Sequence, residues 1–111
     1  MVFADSQGKP EVGQAEAERL IAQEKVVALM GAYQSAVTRT ASRVAEQRGI
    51  PFLNAESGSP DLTERGFKWF FRTTPIADDL AQTYMEFFKE MKGEGKAVGS
   101  IAVVNENTEY G

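Results

Sequence analysis

The chain has 111 residues, 42% of them apolar and 25% charged, with a net charge of -4. That is enough for one domain with a modest core, and the acidic balance argues against nucleic acid as the main partner. With no cysteine and no histidine, a disulfide framework, a thiol nucleophile, Ser-His-Asp or Cys-His catalysis and the commonest metal ligand are excluded.

The apolar runs are too short to span a bilayer, and Met1-Val2-Phe3-Ala4-Asp5 lacks a secretory h-region. Val2-Phe3-Ala4 reads as the tail of a strand, followed by a polar turn, Asp5 to Lys9. Pro10 suits the first position of a helix and Glu11 its first turn. Ala17, Leu20 and Ile21 give that helix an apolar stripe as far as Glu24. Val26 to Met30, uncharged throughout, reads as a short strand buried on both faces. Gly31 breaks it, and a second helix is expected from about Ser35 to Arg48, with Val37, Ala41, Val44 and Ala45 inward and Gly49 as its stop.

Ile50 to Leu53 is the next expected strand, ending in the polar loop Asn54 to Pro60. Asp61 to Arg65 fits one helical turn. Phe67 to Arg72 reads as a strand with Trp69 and Phe71 on one side and Phe70 on the other. Thr74 and Pro75 suit a helix start, with Asp78 and Asp79 in the opening turn. Leu80, Tyr84, Phe87, Phe88 and Met91 then recur at helical spacing, and the aromatic group is expected to pack in the core. Gly93 to Lys96 reads as a linker and Ile101 to Val104 as a last strand. Alternation of this kind predicts an α/β fold, a parallel sheet with flanking helices.

In such sheets ligands bind at the carboxyl ends of the strands. Gln34 and Ser35 fall there, where the first N–H groups of the second helix lack intrahelical partners and its dipole favours an anion. A small carboxylate would suit that point. On position alone, Ser35 reads equally as an ordinary helix N-cap.

The segments Gly31-Ala-Tyr-Gln-Ser35, Gly49-Ile-Pro-Phe52, Pro60-Asp-Leu-Thr-Glu-Arg-Gly66, Phe71-Arg-Thr-Thr-Pro75 and Glu109-Tyr-Gly111 occur in this order. Together they make the chain resemble the type I periplasmic solute-binding proteins of branched-chain amino acid ABC transporters, the leucine/isoleucine/valine-binding kind. The resemblance implies a partial lobe of a two-lobed fold. Residues 1–98 would be most of the first, ligand-binding lobe and 99–111 the first strand of the second. It further implies a fragment or truncated form that self-associates to cover the place of a missing first strand.

By the same resemblance, Ser35 takes the ligand carboxylate through its hydroxyl and backbone N–H, with Tyr33 and Gln34 beside it. The loop Glu56-Ser57-Gly58-Ser59 receives the ligand ammonium through a backbone carbonyl and a hydroxyl. Gly58 stands where the family often has that hydroxyl. Glu56 replaces a small residue, which favours a more cationic or polar ligand than leucine; on charge statistics alone it reads as a solvated loop carboxylate. Tyr110 matches the tyrosine that the second lobe presents to the ligand. No catalytic residue, cofactor or metal is implied. The partners would be a small-molecule ligand (an amino acid or small carboxylate) and, for the full-length protein, a membrane permease, at a periplasmic or extracellular location.

Two other classes compete. A sensory or regulatory domain can share the fold. A nucleotide-binding α/β enzyme is disfavoured, because the chain has neither a Gly-x-Gly-x-x-Gly turn after a strand nor a Gly-Lys-Ser/Thr phosphate loop.

Overall fold

The computed structural model describes residues 1–108 and 110, so Glu109 and Gly111 of the last motif lie outside the described residues. Helix α1 (Pro10–Ala22) begins with proline at its first position and Glu11 in its first turn, where neither a missing N–H nor a negative charge is costly. It buries Gly13, Ala17 and Leu20. Helix α2 (Ser35–Arg48) buries Val37, Thr38, Ala41, Ser42, Val44 and Ala45 and ends on Gly49, whose φ of 65° is left-handed. That conformation lets the Gly49 N–H reach the carbonyls of Ala45 and Glu46. Small residues on both facing surfaces bring α1 and α2 close together.

Three strands form one parallel sheet in the order β1 (Leu29–Met30), β2 (Phe52–Asn54), β3 (Phe70–Arg72). The register aligns Leu29, Phe52 and Phe70 in one row and Met30, Leu53 and Phe71 in the next. Side chains alternate between faces with period two, so the first row belongs to the core and the second to the opposite face. Phe52 stacks on Phe70 with ring centroids 5.9 Å apart. With Ala17, Leu20, Ala41, Val44 and Ala45, Leu29 and Phe52 make the core. Burying a side chain of this size stabilises the fold by roughly 1.5–3 kcal/mol. A single 3-10 turn (Pro60–Leu62) plugs Leu62 completely.

Several strand expectations do not hold. The segment from Val26 to Met30 is not a strand buried on both faces: only Leu29–Met30 pairs, Val27 is 84% exposed and Met30 72%. In the order β1-β2-β3, β1 is an edge with a ladder on one side only. Neither Val2–Ala4 nor Ile101–Val104 is a strand, and Phe3, Val103 and Val104 are exposed. Apolar β-branched sequence forms a strand only where another strand supplies its hydrogen bonds.

The third helix, α3 (Ala77–Gly93), starts at Ala77 rather than at Pro75. Asp79 Oδ2 accepts the Ile76 N–H at 3.1 Å, satisfying one of the orphan donors of the first turn. It buries no residue, leaving Leu80, Tyr84 and Phe87 exposed. The aromatic group is therefore not one core cluster. Phe70 joins the core, the tilted rings of Phe87 and Phe88 pair on α3 with centroids 5.8 Å apart, and Trp69 and Phe71 stay largely exposed. With α3 unpacked, the molecule extends over 60 × 25 × 24 Å.

Candidate functional site

Two loops meet at the carboxyl ends of β1 and β2. The first runs from Gly31 into α2; the second from Asn54 into the Pro60 turn. Gln34, in extended conformation, is the N-cap of α2, so Ser35 is its first helical residue and not its N-cap. No side chain caps this terminus. Its positive end is thus left to whatever occupies the space in front of it.

The two loops are joined by buried hydroxyls. The Thr38 Oγ1 and Ser57 Oγ lie 2.6 Å apart. Thr38 Oγ1 also accepts the Ala32 N–H at 3.0 Å. Ser57 Oγ lies 2.8 Å from the Ala32 carbonyl and 3.1 Å from that of Tyr33. The second loop is folded on itself by Asn54, whose Oδ1 accepts the N–H groups of Glu56 and Ser57 (3.3 and 2.9 Å) while Nδ2 donates to the Ser57 carbonyl at 2.8 Å. This is an Asx turn, and Asn54 is fully buried. A long contact of 3.4 Å from the Ser59 N–H to Ser35 Oγ crosses between the loops as well.

A cavity of about 940 Å³ opens in front of α2. Tyr33, Gln34, Ser35, Glu56, Gly58 and Tyr110 all line it, together with Thr74, Ala77 and Leu80. Ser57 alone of the seven sequence-derived candidates does not line it, its side chain being turned into the hydroxyl network. Tyr110 leans over Gly58: a Cβ built on Gly58 would stand 2.9 Å from the tyrosine Cε2. The residue that lacks the expected hydroxyl is thus the one the ring covers. Among the described residues two carboxylates, Glu56 and Glu106, line the cavity, and no lysine or arginine does.

Beneath the second loop, Arg72 at the end of β3 donates from Nη2 to the Ser59 carbonyl at 2.6 Å, while its Nε and Nη1 are buried without partners among the described residues. Burial lowers its pKa from the usual guanidinium value. Arg39 pairs with Asp61, which accepts from Ser59 Oγ at 2.6 Å. Among the described residues no cluster of acids that could hold a metal is present, and no helix is long and apolar enough to cross a membrane.

Sequence reasoning missed Thr38 and Asn54. A hydroxyl three residues beyond Ser35, among the inward positions of α2, was the available signal for the first. Asparagine at a strand end, where Asx turns form, was the signal for the second.

Comparison with known proteins gives the site its setting. The family described as periplasmic binding protein matches residues 1–111. The Leu/Ile/Val-binding protein homolog 8 of Brucella abortus is 33% identical over 102 residues, covering 86% of this chain and 25% of the relative. An ABC transporter substrate-binding protein from Desulfitobacterium hafniense, solved in complex with Leu, superposes with a TM-score of 0.75 at 29% identity, over 81% of this chain and 27% of that one. A branched-chain amino acid transporter substrate binding protein from Streptococcus pneumoniae, in complex with isoleucine, does so with a TM-score of 0.64 at 25% identity over 68% of this chain and 21% of that one. The chain spans about a quarter of the length of the curated relatives it matches. It belongs to the periplasmic binding protein family.

Proposed function

We propose that this member of the periplasmic binding protein family carries one half of a site for an amino acid or a related small carboxylate, and performs no catalysis. The observation that carries the reading is the uncapped N-terminus of α2 with Ser35 facing a cavity shared with Glu56, Gly58 and Tyr110. A carboxylate set against the first N–H groups of α2 would be held by unpaired donors and by the helix dipole. An ammonium group would then lie toward Glu56 and the Ser57–Gly58 backbone. The carboxylates of Glu56 and Glu106, with no opposing cation among the described residues of the lining, favour a ligand more polar or more cationic than leucine.

In this reading residues 1–98 belong to the partial first lobe and 99–111 begin the second. The whole protein would work in the periplasm or outside the cell, closing on its ligand and presenting it to the permease of an ABC transporter. A chain of this length would self-associate, since α3 and the outer edge of β1 leave apolar surface uncovered. Isothermal titration with L-leucine, L-isoleucine and L-arginine tests the site. Binding of any of the three that weakens about tenfold on Ser35→Ala supports it. Binding that is indifferent to Ser35 refutes the assignment of the carboxylate to α2.

A further inference from the structure

We propose that Thr38 is a positioning residue for the ligand site: its hydroxyl latches the Gly31–Ser35 loop to the Asn54–Ser59 loop and fixes the span between the two halves of the ligand contact. The inference rests on the reading that these loops hold the ligand.

A threonine inside a helix ordinarily bonds the carbonyl one turn back. Ser42 does this, donating to the Thr38 carbonyl at 2.5 Å. Thr38 does not. Its hydroxyl meets Ala32, six residues back and outside the helix, and Ser57, nineteen residues on. Thr38 is fully buried and Ser57 nearly so, so water does not compete for these bonds.

Counting protons closes the network. Each hydroxyl has one proton to give. The Ala32 N–H points at Thr38 Oγ1, and the carbonyls of Ala32 and Tyr33 lie 2.8 and 3.1 Å from Ser57 Oγ. Thr38 Oγ1 also lies 3.1 Å from the Ala32 carbonyl, so either hydroxyl can be the donor across the 2.6 Å contact, and each proton has an acceptor within the protein. The Ser57 proton is committed within the protein and is not offered to a ligand. What Ser57 brings to the site is its backbone, held in place from one side by Thr38 and from the other by Asn54. Valine at position 38 has the same shape but neither gives nor accepts, so the Ala32 N–H and the Ser57 hydroxyl would lose the partner they share. The loops would then be held together by the Ser57 contacts to the Ala32 and Tyr33 carbonyls and the long Ser59–Ser35 contact, while the helix keeps its packing.

The test compares Thr38→Val, Thr38→Ser and Ser42→Ala with the parent chain, using titration with L-leucine, L-isoleucine and L-arginine and amide hydrogen exchange. The expected result is an affinity about tenfold weaker for Thr38→Val, restored to within about twofold by Thr38→Ser. Ser42→Ala, equally buried on the same helix, should leave affinity unchanged. Unaltered affinity in Thr38→Val overturns the proposal, as does an equal loss in Ser42→Ala, which would reduce Thr38 to general stability. If the parent chain binds none of the three amino acids, the amino-acid reading of the site fails and exchange decides the latch. Faster exchange confined to the Ala32 and Ser57 amides in Thr38→Val supports it. Unchanged exchange, or loss of protection along the whole chain, overturns it.

Discussion

Replacing Gly13 by alanine puts two local effects against each other. Within a helix, alanine is favoured over glycine by about 1 kcal/mol, and taken alone this would stabilise α1. The structure reverses the sign. A Cβ at position 13 would stand 2.4 Å from Val37 Cγ1 and 3.6 Å from Ser6 Cβ. Val37 is 1% exposed, and valine in a helix has one strongly preferred rotamer, so it cannot swing aside. Helix α1 must instead move off α2, at an overpacking cost of about 1–3 kcal/mol. The net expectation for Gly13→Ala is a loss of up to about 2 kcal/mol, or up to roughly 10 °C in Tm for a chain of this size. Urea unfolding followed by circular dichroism measures it, with a lowered midpoint at unchanged slope as the expected form. The double variant with Val37→Ala should lose less than the two single losses combined, because the second change opens the space that the first needs. Higher stability in Gly13→Ala, or strict additivity in the double variant, would show that α1 and α2 are not in contact at this point.

Three further outcomes follow from single contacts. Glu46 accepts the N–H groups of Lys68 and Trp69 at 3.0 and 2.8 Å; Glu46→Ala should cost about 1–2 kcal/mol and change the fluorescence of Trp69, the chain's one tryptophan. Arg65 donates to Leu62, Arg39 and Ser42 and lies 4.1 Å over the Phe67 ring, so Arg65→Met should cost at least about 2 kcal/mol in urea unfolding. Arg72→Met should cost about 1 kcal/mol or less, because two buried nitrogens of Arg72, Nε and Nη1, have no partner among the described residues and their removal offsets the lost bond to Ser59. Equal losses at positions 65 and 72 would contradict the difference in their partners.

The helices were legible because their signals are local. Pro10 opens α1, Gly49 closes α2 in a left-handed conformation, and Val37, Ala41, Val44 and Ala45 recur at the helical period and are all buried. The strands were legible only in part. Leu29, Phe52 and Phe70 were found as apolar positions, but whether an apolar run becomes a strand depends on a neighbour's hydrogen bonds. Val2–Ala4 and Ile101–Val104 have none. Amphipathic spacing in α3 said that one face seeks cover, yet could not say that nothing among the described residues provides it.

At the site the division is the same. Motif order along the chain drew attention to Ser35, Glu56, Gly58 and Tyr110, residues far apart in sequence. That Ser35, Glu56 and Gly58 border one cavity was decided by the parallel pairing of β1 with β2, which brings the carboxyl ends of both strands, and the loops they carry, to one edge. Ser57 shows the limit most plainly. By sequence it is a polar loop residue beside a ligand; by structure its hydroxyl faces inward to Thr38 and two carbonyls. Residue type and spacing determine which groups the chain can offer. Only the packed structure decides which of those groups are already bonded to the protein itself, because a hydroxyl has one proton and the fold chooses where it goes.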